Sequence, residues 1–149
     1  MKWEALPIVA GMLLHIAVSG LPSAAAGSLS AAEYEQQWSV VIVSLLKFVQ
    51  ASSSADTGPL SANVLPKLDA ERGNFDRAIV KLLLADPPEA LLRRHLTLMP
   101  ICQELATVMV LITDGLRRND TAATQAARRW MTERLVDLSL AMQKLESGN

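Results

Sequence analysis

The chain has 149 residues, of which 50% are apolar and 4% aromatic, with 14 basic and 15 acidic side chains. This length is enough for one domain with an apolar core, and a formal net charge of −1 gives no overall field to attract nucleic acid or anionic lipid. Frequent Leu, Ala and Val with few Gly and Pro favour helices over a turn-rich sheet. We therefore expect an all-α protein with no nucleic-acid partner.

The N-terminus has the pattern of a secretory signal peptide. A basic residue precedes an apolar run over residues 5–18, and a cluster of small residues follows. Ala24 and Ala26 suit the −3 and −1 positions of a cleavage site, so we predict a signal peptide over 1–26 and a single helical-bundle domain over 27–149. The alternative is an uncleaved anchor, but the run is shorter than the roughly 20 residues needed to span a bilayer. We expect a periplasmic or secreted protein with no stable membrane anchor after cleavage.

The first predicted helix follows a capping box at Ser30 and Glu33, in which each side chain can bond the main-chain N–H of the other residue. One apolar stripe continues at helical spacing: Tyr34, Trp38, Val41, Leu45 and Phe48. Val40 and Val43 widen this face beyond one stripe. Such a wide face must contact two neighbouring helices or a second protein.

A second helix is predicted to begin between Ser61 and Pro66, because proline is tolerated in a first turn. It should end at Ala85–Asp86, since Pro87–Pro88 cannot continue it. Gly73 lies near its middle and leaves open whether the helix is continuous.

The third and fourth helices complete the predicted bundle. Pro88–Glu89 opens the third, and Pro100 inside it should cause a kink. Its two heptad series predict its buried seam: Leu91, Leu98, Leu105 and Ile112, and His95, Cys102, Met109 and Leu116. The fourth helix should run from about Thr121 to Leu145. Short connections make successive helices antiparallel, so we predict an up-down-up-down four-helix bundle.

One group of side chains has metal-binding chemistry. His95, Met99 and Cys102 lie at i, i+4 and i+7 on one helical face, and imidazole, thioether and thiolate together suit Cu(I). A buried core stripe gives the same spacing without any metal. Cys102 is the single cysteine, which excludes an internal disulfide.

Three arginine pairs are candidates for binding an anionic partner. Arg117–Arg118 and Arg128–Arg129 flank the last interhelical turn, whereas Arg93–Arg94 lies near the start of the third helix. Solvated faces paired with nearby acids explain such pairs more simply. With Val40 and Val43, the four arginines at the turn are the predicted partner-binding residues.

The sequence contains no motif for catalysis or for a bound cofactor. A covalent haem needs Cys-x-x-Cys-His and a di-metal bundle needs Glu-x-x-His, and neither occurs. A Gly-rich phosphate loop and a nucleophile elbow are also missing. We therefore expect a non-enzymatic, cofactor-free helical module that binds a protein partner or forms a homo-oligomer, and a metal- or small-ligand-binding bundle is the alternative.

Overall fold

The computed structural model describes residues 29–54 and 63–148, which form four α-helices and one short 3₁₀ helix. The bounds are α1 Ala31–Ser54, α2 Val64–Leu84, the 3₁₀ helix Glu89–Leu91, α3 Leu92–Arg117 and α4 Thr121–Glu146. Neither of the two described stretches contains a strand. The all-α, four-helix prediction is confirmed. The predicted signal peptide, residues 1–26, lies outside the described residues.

Side-chain caps fix where α1 and α4 begin. The Ser30 main-chain N–H donates to Glu33 over 2.9 Å, and the Glu33 N–H donates to the Ser30 hydroxyl over 3.2 Å, which confirms the predicted capping box. At α4, the carboxylate of Asp120 accepts from the N–H of Ala123 over 2.9 Å. These contacts satisfy amides that have no partner inside the helix.

Two helix-weakening residues lie inside helices that continue past them. α2 runs unbroken through Gly73, so the question of its continuity is answered. α3 also runs through Pro100, although the missing N–H leaves the carbonyl of Leu96 without its usual main-chain donor. The bend expected at Pro100 stays a prediction.

Contacts between helices show how the helices are directed. Near the start of α3, Arg94 contacts Glu35 near the start of α1, so these two helices run in the same direction. Arg117 at the end of α3 contacts Asp69 near the start of α2, so α2 and α3 are antiparallel. One end of the bundle therefore holds the first turns of α1 and α3 with the last turns of α2. The first turns of α4 lie at the opposite end, since Arg128 contacts the last turn of α1.

The core lies between the inward faces of all four helices, as the apolar periodicity predicts. Its largest fully buried side chains come from every helix: Trp38, Tyr34, Phe48, Phe75, Leu45, Leu68, Leu82, Leu98, Leu105, Met109, Ile112 and Met131. At one point α3 and α4 approach closely. A Cβ on Gly115 would lie 2.5 Å from the Thr124 hydroxyl, so this crossing requires glycine.

Among the described helices, only the segment Glu89–Arg117 is long and apolar enough to cross a membrane. Of its most apolar 18-residue window, 44% is buried inside the bundle. A central helix of a folded core has the same composition, so this feature agrees with the packing of α3 against its neighbours.

Candidate functional site

Five side chains from α1 and α3 form a polar and aromatic cluster at the end of the bundle where both helices begin. We call it the Tyr34–His95 cluster: Tyr34, Glu35, Trp38, Arg94 and His95. Tyr34, Glu35 and Trp38 occupy positions i, i+1 and i+4 of α1, and their side chains lie toward the first turns of α3. Because α1 and α3 run in the same direction, residues close to the two N-termini meet.

The phenol of Tyr34 and the imidazole of His95 are joined by a hydrogen bond between the hydroxyl and Nδ1. Their ring centroids lie 5.9 Å apart. Burial lowers the pKa of His95. Burial also raises the pKa of Tyr34, although a hydrogen bond from Trp38 and the positive charge of Arg94 act in the opposite direction. Both groups are therefore neutral at pH 7, and a neutral imidazole offers Nδ1 as an acceptor for the Tyr34 hydroxyl.

Beside this pair, Arg94 connects the charged and aromatic members of the cluster. Its guanidinium donates to Glu35 over 2.6 Å, and its central carbon lies 5.7 Å from the ring centroid of Trp38. This is the geometry of a cation–π contact. The ion pair is partly screened from water, since the two side chains are only 20% and 23% exposed.

One buried polar atom of the cluster, Oε2 of Glu35, has no hydrogen-bond partner among the described residues. However, Tyr34 and Trp38 are fully buried, so only Glu35, Arg94 and His95 retain access to solvent. The cluster therefore holds the first turns of α1 and α3 together. The buried Tyr34 hydroxyl is not accessible from bulk solvent.

His95 is also the first member of the predicted metal set, and the other two members lie deeper in α3. Met99 is 4% exposed and Cys102 is fully buried. Burial raises the pKa of Cys102 to about 12, so the sulfur is a thiol at pH 7 and not the thiolate that metals bind. No group of three or more His, Cys, Asp or Glu side chains within 29–54 and 63–148 could hold a metal ion. The Cu(I) hypothesis stays a prediction, and the buried thiol opposes it.

The four arginines at the α3–α4 turn differ in their surroundings. Arg117 is bound to Asp69 over 2.6 Å and to Asp114 over 3.0 Å. Arg128 is buried and donates to the Ser52 carbonyl over 2.5 Å. Arg118 and Arg129 are exposed. The turn thus presents fewer available cations than four adjacent arginines suggest, because two of them stabilise the fold.

Apolar side chains are exposed on several helices, and the largest exposure is near the connection between α2 and α3. Leu84 is 81% exposed and Leu96 is 65% exposed. Leu83, next to Leu84, and Leu92, one helical turn before Leu96, are also exposed. We call these four residues the α2–α3 apolar corner. The predicted surface on α1 is also accessible to solvent, but less so, with Val40 38% and Val43 47% exposed.

The α2–α3 apolar corner was missed at the sequence level, because both helices carry wide apolar faces and periodicity does not show which leucines are left outside. A signal was present in Pro87–Pro88, which ends α2 abruptly after three consecutive leucines.

No known protein family, curated protein or solved structure matches this chain significantly.

Proposed function

We propose that this protein is a non-enzymatic, extracytoplasmic helical module that binds another protein through the α2–α3 apolar corner. The observation that carries this proposal is the exposure of Leu84 and Leu96, at 81% and 65%. Single exposed leucines are ordinary on a soluble protein, but four exposed leucines flank this one connection, and we propose that a protein partner covers them.

The positions of these leucines on restricted backbone favour a binding surface over chance exposure of single side chains. Leu92 and Leu96 are one helical turn apart on α3, so they share a face. Leu83 and Leu84 end α2, and the adjoining Pro87–Pro88 restricts the backbone of the connection. Apolar side chains on restricted backbone lose little conformational entropy on binding, which favours a partner that buries them.

The location outside the cytosol rests on the sequence. The apolar run over 5–18, followed by Ala24 and Ala26, has the form of a secretory signal. We propose cleavage after Ala26 and export of residues 27–149. Intact-mass measurement of the exported product tests this part separately: a chain beginning at Gly27 supports it, and a product retaining Met1 inside cells contradicts it.

Binding is tested by affinity purification from the source cells together with the mass of the purified protein in solution. Leu84→Glu and Leu96→Glu should remove a partner that wild type retains, or convert a dimer to a monomer. Gln125→Glu, an exposed change on α4, is the matched control and should have no effect. Val40→Glu and Val43→Glu test the α1 surface in the same way. A solution mass and a set of captured proteins that are indifferent to Leu84→Glu and Leu96→Glu would refute the proposal, and an effect of the two valine changes alone would assign the interface to α1 instead.

The second candidate function is Cu(I) binding by His95, Met99 and Cys102. It is favoured by their soft donor atoms on one helical face. Titration of the purified protein with Cu(I), compared with His95→Ala and Cys102→Ser, tests it. Absence of binding at micromolar metal would remove this candidate.

A further inference from the structure

A groove of about 300 Å³ lies between the first turns of α3 and the last turns of α4. Leu140, Ala141 and Leu145 form its apolar side, and Arg93 and Lys144 also line it. Leu140 is 49% exposed. The volume lies at the small end of the range seen for small-molecule sites, so the groove suits a ligand of limited size.

The charges at the groove do not cancel. Neither Arg93 nor Lys144 is in an ion pair with any of the described residues. The acidic residue at the groove, Asp137, is already bound to Arg134 over 2.8 Å. Arg134 also contacts Glu104 over 2.9 Å, so this α3–α4 network has one cation for two carboxylates. Arg93 and Lys144, which have no ion-pair partner of their own, therefore leave a net positive charge at the groove.

The neighbouring arginine has a different role. Arg94 is part of the Tyr34–His95 cluster and is bound to Glu35, whereas Arg93 lies about 100° around the helix, toward α4. The Thr97 hydroxyl donates to the Arg93 carbonyl over 2.8 Å, so it is engaged with its own helix. Arg93 and Lys144 are therefore the polar side chains at the groove that can bind a ligand.

We propose that this groove binds a small amphiphilic anion. Arg93 and Lys144 hold its carboxylate or phosphate headgroup, and a short apolar tail covers Leu140, Ala141 and Leu145. Guanidinium and ammonium groups both bind these oxyanions with charge-assisted hydrogen bonds. Covering the three apolar side chains removes their surface from water. This inference does not depend on the proposed protein-binding corner, which uses other residues.

The proposal is tested by amide chemical-shift titration of the purified protein with four probes of matched length or charge. Hexanoate and hexyl phosphate carry both headgroup and tail, 1-hexanol lacks the charge, and acetate lacks the tail. We expect both hexyl anions to bind at α3 and α4 with Kd values on the order of 1–10 mM, the range for about ten non-hydrogen atoms. A preference for one anion identifies the headgroup. Hexanol and acetate should bind at least about five-fold more weakly, because hexanol has no charge for Arg93 and Lys144 to bind and acetate has no tail to cover the apolar side chains.

Substitutions separate the two contributions. Arg93→Gln and Lys144→Gln should each weaken hexanoate about five-fold, with hexanol unchanged, because only the charge contact is lost. Leu140→Asp should weaken every probe that has a tail. Lys67→Gln removes an exposed cation near the start of α2 and should change nothing. Far-ultraviolet dichroism verifies that each variant is folded.

Three outcomes would overturn the proposal. The first is hexanol binding as tightly as hexanoate, and the second is acetate doing so. The third is the absence of saturable shifts at the groove residues with both hexyl anions at concentrations up to about 20-fold above the expected millimolar Kd, on the order of 100 mM.

Discussion

The guanidinium of Arg128, near the start of α4, donates a hydrogen bond to the main-chain carbonyl of Ser52 over 2.5 Å. Ser52 provides one of the last four carbonyls of α1, which have no donor inside the helix. Both residues are buried. A charged side chain thus stabilises the end of one helix from the start of another and holds α1 and α4 together.

Arg128→Met should destabilise the protein by about 1–3 kcal/mol, because the buried carbonyl of Ser52 loses its charged donor. Urea unfolding followed at 222 nm measures this. Arg129→Met is the matched control, since Arg129 is exposed on the same turn, and should change the free energy of unfolding by less than about 0.5 kcal/mol. Equal effects from the two changes would show that the Ser52 contact does not stabilise the fold.

Gly115→Ala should destabilise by about 1–3 kcal/mol, because the new methyl group must displace α4 from α3. Its Cβ would lie 2.5 Å from the Thr124 hydroxyl and 3.2 Å from the Thr124 main-chain nitrogen. At Gly73, by contrast, the nearest atom is the end of the Arg77 side chain, 3.4 Å away. Gly73→Ala should therefore stabilise the protein, by up to about 1 kcal/mol. Thermal unfolding of both variants checks the opposite signs, and a neutral Gly115→Ala would contradict the close crossing.

Stability should decrease as the pH falls below 6.5, the unperturbed pKa of His95. Burial lowers the pKa of this imidazole in the folded state, so the unfolded chain binds the proton more readily. The stabilisation is complete above pH 6.5 and is lost progressively below it, down to the folded-state pKa. One such group changes the free energy of unfolding by at most about 1.4 kcal/mol per pH unit.

His95→Gln should flatten this dependence between pH 7 and pH 5.5. Urea unfolding at intervals of half a pH unit gives the slope for each protein. The same slope in wild type and His95→Gln would assign the effect to other groups.

Cys102 should react with iodoacetamide more than about 100-fold more slowly in the native protein than in 8 M urea, because access requires an opening that costs a large part of the unfolding free energy. Burial also raises the thiol pKa to about 12, which leaves almost no thiolate at pH 8. Mass spectrometry of the alkylated product gives both rates. Similar rates would show an accessible thiol and would favour the Cu(I) alternative.

The helices themselves were predictable because each depends on local spacing. The capping box at Ser30, the proline pair at Pro87–Pro88 and the acidic cap at Asp120 each fix a helix end by contacts within a few residues. The α3 seam follows from its heptads, and Leu98, Leu105 and Ile112 are fully buried or nearly so. Periodicity is sufficient where one face of a helix must leave water.

The candidate site could be predicted only in part, because its contacts join distant residues. Tyr34 and His95 are 61 positions apart, and Glu35 and Arg94 are 59 apart. Which side chains meet depends on how each helix is rotated about its axis, and a wide apolar face fixes that rotation poorly. Arg128 shows the same limit: arginines are rarely buried, so its contact with Ser52 was not expected from sequence.

Site-specific photocrosslinking at the α2–α3 apolar corner tests the central claim most directly. A photoreactive phenylalanine derivative replacing Leu84 in the source cells should give one discrete protein adduct, lost when Leu96→Glu is added. The same derivative replacing Gln125 should give none. Absence of an adduct at position 84, or the same adducts at both positions, would contradict a binding surface at this corner.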